Sequence, residues 1–184
     1  SKLAIEQILE NFEATYGLRK VIFRYFNVAG ADPDGEVGEF HQPETHLIPL
    51  ILQAIDDQRP ALTVYGTDYD TPDGTCIRDY VHVSDLIDAH LSGLDWLIAG
   101  NESRAFNLGT GTGFSVREVI QAAKRATNKD VPLIFGDRRG GDATALVSGS
   151  TRAGTELGWT PERSTLDQMI GDAWRWHQTG HFDK

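Results

Sequence analysis

The run KVIFRYFNVAGA, Lys20 to Ala31, constrains the fold more than any other stretch of the chain. Its β-branched and aromatic residues lack the polar alternation of a half-exposed strand. It therefore reads as a strand buried on both faces, the position found in a parallel sheet covered by helices, ending near Asn27 and Gly30. Parallel strands need helical crossovers, and the flanking sequence supplies them. Upstream, Leu3, Ile5, Ile8, Leu9, Phe12 and Tyr16 fall close to the i, i+3, i+4, i+7 spacing of an amphipathic helix, with Gly17 as its stop.

Downstream the alternation continues. Residues 32–45, DPDGEVGEFHQPET, read as a long loop, and HLIPLILQAIDDQ as a helix with Thr45 as N-cap and Pro49 tolerated near its first turn. ALTVY is a strand, and residues 66–80 form a second long loop. VHVSDLIDAHLSGLDWLIAG then gives a helix capped by Ser84, with Ile87, Leu91, Leu94 and Ile98 as its inner face and Gly100 as terminator. RAFNLGTG is a strand and turn. SVREVIQAAKRAT opens on a capping box of Ser115 and Glu118. A strand VPLIF, the loop GDRRGGDATA, a short helix near Arg152 to Leu157 and a last helix from Ser164 to about Gln178 complete the reading. The class is α/β. Two loops of this length mark binding elements.

The formal charge of −10 opposes nucleic acid and anionic membranes as partners, so an anionic ligand needs a local basic pocket. Arg78, in DGTCIRDYVHV, and Arg138 and Arg139, in GDRRGGD, are placed to form one, because a guanidinium chelates phosphate through two donors. The alternative is that they pair with neighbouring carboxylates such as Asp79 and Asp142. Tyr65 either stacks on a flat ring or is an ordinary strand-end aromatic. NLGTGTG fails as a dinucleotide fingerprint, since the position that requires a third glycine holds Phe114; it reads as a structural turn feeding the Ser115 cap.

The six histidines look scattered. The one helical pair, His177 and His181, spans Gly180 without a third ligand, so no metal site is expected. Trp159, Trp174 and Trp176 read as packing residues, and the single cysteine, Cys76, as neither nucleophile nor disulfide partner, consistent with a cytoplasmic, reducing setting. No apolar run is long enough to span a membrane.

Several stretches, in order along the chain, resemble the UDP-glucose 4-epimerases of the extended short-chain dehydrogenase/reductase superfamily: SK with its helix, RYFNVAGADPDGEVGE, THLIPL, VYGTDYDTPDGTCIRDYVHVSDL, NLGTGTGFSV and RRGGD. The resemblance implies the C-terminal part of such an enzyme. Residues 1–30 would end the nucleotide-binding domain, with a remnant of its Rossmann-like parallel sheet. Residues 31–184 would form mainly a small UDP-sugar-binding α/β domain, with 84–113 returning to the first. SK matches the end of the family's Tyr-x-x-x-Lys motif, which makes Lys2 the catalytic lysine and puts its tyrosine three residues before Ser1.

In that family NAD takes a hydride from C4 of the sugar and returns it to the other face of the keto intermediate. Lys2 would lower the tyrosine pKa and bind the nicotinamide ribose, with Tyr25 and Phe26 beside the nicotinamide. Asn27, His46, Leu47, Thr63, Val64, Tyr65, Arg78, Arg139 and Asp142 match positions that hold the UDP-sugar: Thr63 to Tyr65 at the uracil, the two arginines on the diphosphate and Asp142 on the ribose side. Leu146 matches a gatekeeping position beside the sugar. The resemblance also implies a homodimer, and an N-terminal half carrying the glycine-rich NAD loop, without which these 184 residues are expected to be inactive. UDP-pentose and UDP-N-acetylhexosamine 4-epimerases share nearly the same signature, and a non-catalytic nucleotide-sugar-binding module is a further alternative.

Overall fold

The computed structural model describes residues 1–179. In chain order the elements are α1 (Lys2–Tyr16), β1 (Val21–Arg24), β2 (Asn27–Ala29), α2 (Leu47–Ile55), β3 (Leu62–Tyr65), β4 (Ile77–Arg78), β5 (Tyr80–His82), α3 (Val83–Ile98), β6 (Arg104–Asn107), β7 (Phe114–Ser115), α4 (Val116–Thr127), β8 (Leu133–Gly136), β9 (Ala145–Leu146), α5 (Thr151–Leu157) and α6 (Leu166–His177). The α/β class is as expected. β1 pairs in parallel with β6, β2 with β5, and β3 with β8, while β4 lies between antiparallel β7 and parallel β9.

Residues 20–31 do not form one strand. The ladder of β1 and β6 closes where the Leu108 amide donates to the Arg24 carbonyl, and β2 then takes β5 as its partner. Changing partner requires a break. It falls at Tyr25 and Phe26, which stand exposed at the carboxyl end of β1. The expected burial on both faces is therefore wrong: β1 is only partly covered.

The face of α3 also differs from expectation. Ile87, Leu91, Leu94 and Ile98 are exposed, and the buried residues are Asp85, Leu86, Ala89 and Gly93. The reason is close packing. A Cβ on Gly93 would come within 2.6 Å of the Phe23 ring, so small residues face the sheet and the bulky stripe turns outward. On α1 Leu3, Ile5, Ile8, Phe12 and Tyr16 are likewise exposed, Leu9 is half-buried, and the helix buries no residue. Gly17 ends it as expected, in left-handed geometry with φ 69°.

Three helix and loop boundaries shift. The N-cap of α2 is His46, not Thr45. The second long loop gives way early to β4 and β5. The N-cap of α3 is His82, whose Nδ1 accepts the Ser84 amide at 3.0 Å, so Ser84 is capped and does not cap. The Ser115–Glu118 capping box forms as read.

Two hydrophobic clusters hold these elements. One joins α2, α4, α6 and β3 through Ile51, Leu52, Leu62, Val64, Val119, Met169 and Ile170. The other joins α3, β5 and β6 through Leu86, Ala89, Val81 and Phe106, and draws in Ala153 and Trp159. Asp85 ties the last loop to the second cluster: its carboxylate accepts the Glu162 and Arg163 amides and its carbonyl accepts Trp159 Nε1.

Candidate functional site

A cavity of about 1010 Å³ opens beside the first cluster, lined by the ends of β2, β3 and β4, the start of α2 and the loops after β2 and β8. Ligands of parallel α/β sheets collect at the carboxyl ends of strands, where loops diverge. Of the residues singled out from the sequence, Phe26, Asn27, His46, Leu47, Thr63, Val64, Tyr65, Arg78, Arg139 and Asp142 line it. Lys2, Tyr25 and Leu146 do not. Lys2 is exposed at the first turn of α1, and Leu146 lies in register with Arg78 on β9.

The basic groups converge on one carboxylate. Arg78 is not in a flexible loop: it belongs to β4, and its Nη1 donates to the Ile77 and Ala143 carbonyls at 2.8 Å each. Its Nη2 stands 3.7 Å from Asp142 Oδ1, while Arg139 Nε donates to Asp142 Oδ2 at 3.2 Å. The Arg139 guanidinium also covers the Tyr65 ring at 4.8 Å. Two cations thus share one anion beside an exposed aromatic face, leaving a net positive charge. Arg138 diverges from this pair: it bonds to Asp68 and covers Tyr69 at 4.2 Å. Tyr80 and Cys76 complete the buried wall; burial pushes the Tyr80 phenol up, with Cys76 adding to the effect.

Asp79 does not pair with its neighbour Arg78. It points to the other side of the strand, where its carboxylate accepts Thr110 N at 3.0 Å, Thr110 Oγ1 at 2.7 Å, Gly111 N at 3.2 Å and Ser148 N at 3.0 Å. A Cβ on Gly109 would lie 2.4 Å from that carboxylate. The Thr110 and Gly111 amides at the centre of NLGTGTG are therefore occupied within the protein and are not available to cradle a phosphate. Asn27 Nδ2 donates to the Asp79 carbonyl at 2.9 Å, which links β2 to the same junction.

The histidines are not all scattered. His41 and His46 come together at the rim of the cavity, with ring centroids 5.1 Å apart and Glu44 between them. The loop fold produces this cluster, and only the neighbouring letters H-x-x-E-T-H hinted at it. His177 lies against Trp174 and 3.5 Å from Asp56; His181 is outside the described residues. Trp159 is buried, and Trp176 Nε1 donates to the Glu39 carbonyl at 3.1 Å.

Parallel β-strands with helical connections, and a cleft at their carboxyl ends in which Arg78 and Arg139 stand beside Tyr65, define an α/β protein of the layered parallel-sheet class. Residues 1–109 match the NAD dependent epimerase/dehydratase family, and the chain belongs to it. It is 50% identical over 178 residues to the UDP-glucose 4-epimerase of Lacticaseibacillus casei, covering 97% of this chain and 54% of that one. The fold is similar to UDP-glucose 4-epimerase from Brucella ovis in complex with NAD, at TM-score 0.91 and 47% identity, covering 94% of this chain and 53% of the other. It is similar also to the Bifidobacterium longum enzyme in complex with NAD+ and UDP, at TM-score 0.91 and 36% identity, covering all of this chain and 55% of the other. The chain thus spans about half the length of the curated relatives it matches. Among the described residues no helix is long and apolar enough to cross a membrane.

Proposed function

We propose that this chain is the substrate-binding half of a cytoplasmic, homodimeric UDP-glucose/UDP-galactose 4-epimerase. The observation that carries the reading is the Arg78–Asp142–Arg139 group beside Tyr65, in a cavity of about 1010 Å³. A diphosphate offers each guanidinium an anionic oxygen of its own in place of the carboxylate they share. Uracil would lie against Thr63, Val64 and Tyr65, and Asp142, released from the arginines, would face the ribose hydroxyls. Asn27, His46 and Leu47 border the same space and would hold the sugar nucleotide in register.

The residues present fit the nicotinamide end of NAD. Tyr25 and Phe26 offer an exposed aromatic ledge at the end of β1, and Lys2 a cation at the start of α1. The turn at Gly109 is not a pyrophosphate cradle, since Asp79 holds its Thr110 and Gly111 amides. When bound, NAD supplies the hydride acceptor and donor at the sugar C4. Lys2 would hold the nicotinamide ribose and, through its positive charge, favour the ionised form of a neighbouring tyrosine base. The remainder of the enzyme would cover the β1–β6 sheet. The exposed stripes of α1 and α3 supply apolar surface for that contact and for the dimer. The buried free thiol of Cys76 accords with a reducing compartment.

Calorimetry with UDP on the intact natural protein tests the site. Arg78→Ala and Arg139→Ala are each expected to weaken binding by about 1.5–3 kcal/mol, the worth of a charge-assisted hydrogen bond. Unchanged affinity in both variants would refute the clamp. A second reading, admission of N-acetylated UDP-sugars, is favoured at one position: Leu146 is part-exposed and smaller than an aromatic gate.

A further inference from the structure

We infer that the loop at the rim of the cavity carries a site for a borderline-soft divalent cation of the Zn²⁺ class, formed by His41, Glu44 and His46 with Glu39 as the fourth ligand. The ligand atoms of His41, Glu44 and His46 all lie within 4.8 Å of one another. His46 Nδ1 stands 2.8 Å from Glu39 Oε1 and 2.9 Å from Glu44 Oε1, and His41 Nδ1 stands 3.9 Å from the same Glu44 oxygen. Around a tetrahedral ion with bonds of about 2.0–2.1 Å, neighbouring ligand atoms sit about 3.3 Å apart. These separations bracket that value for His41, Glu44 and His46, while Glu39, in contact with His46 but outside the group of three, turns toward the ion to complete the shell.

The charges support the same conclusion. Two carboxylate oxygens converge on one imidazole nitrogen, which has at most one proton to give. A dication satisfies all four groups at once: two carboxylates cancel its charge, and two neutral imidazoles complete the shell with their remaining protons on Nε2. The N₂O₂ donor set selects zinc-like ions over Mg²⁺ and Ca²⁺, which take six or more oxygens. Glu44 is fixed in advance, because its Oε1 also accepts the Thr45 and His46 amides at 2.6 and 2.7 Å. Bound there, the cation would clip residues 39–46 into one closed loop beside the start of α2.

The test uses no nucleotide, so its outcome is separate from that of the UDP reading. Isothermal titration of the intact natural protein with Zn²⁺, and separately with Mg²⁺, is compared with the same titrations of His41→Ala, a substitution at an exposed position. One Zn²⁺ per cluster in the micromolar range or tighter is expected, weakened at least tenfold by His41→Ala, with no Mg²⁺ uptake. Tenfold is the lower end of the ~10–100-fold loss that follows removal of a group that merely supports a ligand, and removal of a ligand itself costs no less. Absence of zinc uptake, or uptake equal in the two proteins, would overturn the proposal. Circular dichroism of the variant confirms that its fold is intact.

Discussion

Replacing Asp79 by asparagine probes the junction on which the cavity wall depends. The carboxylate is buried, 2% exposed, and accepts four hydrogen bonds, two at each oxygen. An amide can keep only one of those oxygens. The cheaper orientation turns its NH₂ toward Thr110, whose hydroxyl can rotate to accept, and keeps the carbonyl for Gly111 and Ser148. The Thr110 amide is then left without its acceptor, at a cost of about 1.5–3 kcal/mol for a bond to a charged group. The two retained bonds fall to roughly half strength on losing the charge, adding about 1–2 kcal/mol. The expected destabilisation is therefore about 2.5–5 kcal/mol, large for a change that removes no volume. Equilibrium urea unfolding of the intact natural protein, followed by circular dichroism, measures it as a fall in midpoint at constant slope. A loss below about 1 kcal/mol would show that Asp79 does not hold the turn, and would refute the structural reading of NLGTGTG.

Gly30→Ala should cost about 2–4 kcal/mol in thermal or urea unfolding, because Gly30 has φ +89° and a Cβ there would meet His82 Nε2 at 2.5 Å, displacing it from Asp172. Burial holds the His177 imidazole below its ordinary value, so the unfolded chain binds more protons just below ~pH 6.5. Stability should accordingly fall as pH drops through that value toward the folded-state pKa, and His177→Asn should flatten the dependence in urea titrations at pH 5 to 7. Leu146→Tyr should reduce turnover of N-acetylated UDP-sugars more than that of UDP-galactose, as measured by coupled assays; equal losses would show that Leu146 is not the gate.

Much of the architecture is legible in short stretches. The helical period of residues 2–16 with Gly17, the Ser115–Glu118 box and the β-rich ALTVY and VPLIF depend on contacts within a turn or along one segment, and each forms where it was read. The glycine-flanked loops suggested that Arg78 and Arg139 share one basic pocket near Asp142, but the joining of Asn27 and Tyr65 to them came through family resemblance, because more than 100 residues separate Asn27 from Asp142 and no local pattern joins them.

Other features were decided by tertiary structure alone. Periodicity picks out the bulky stripe of α3 from Ile87 to Ile98 and takes it for the inner face; the sheet instead selects Gly93 and Ala89, because Phe23 approaches Gly93 too closely for a larger side chain. A β-rich run does not announce where its hydrogen-bond partner ends, so the break at Tyr25 and Phe26 follows from β6 and β5 rather than from residues 20–31. Asp79 reads locally as a partner for Arg78, yet strand alternation sends adjacent side chains to opposite faces, one to the cavity and one to the turn at Thr110. The His41–Glu44–His46 cluster likewise exists only because the loop folds back at the rim of the cavity, bringing together groups that follow neither a helical nor a strand period.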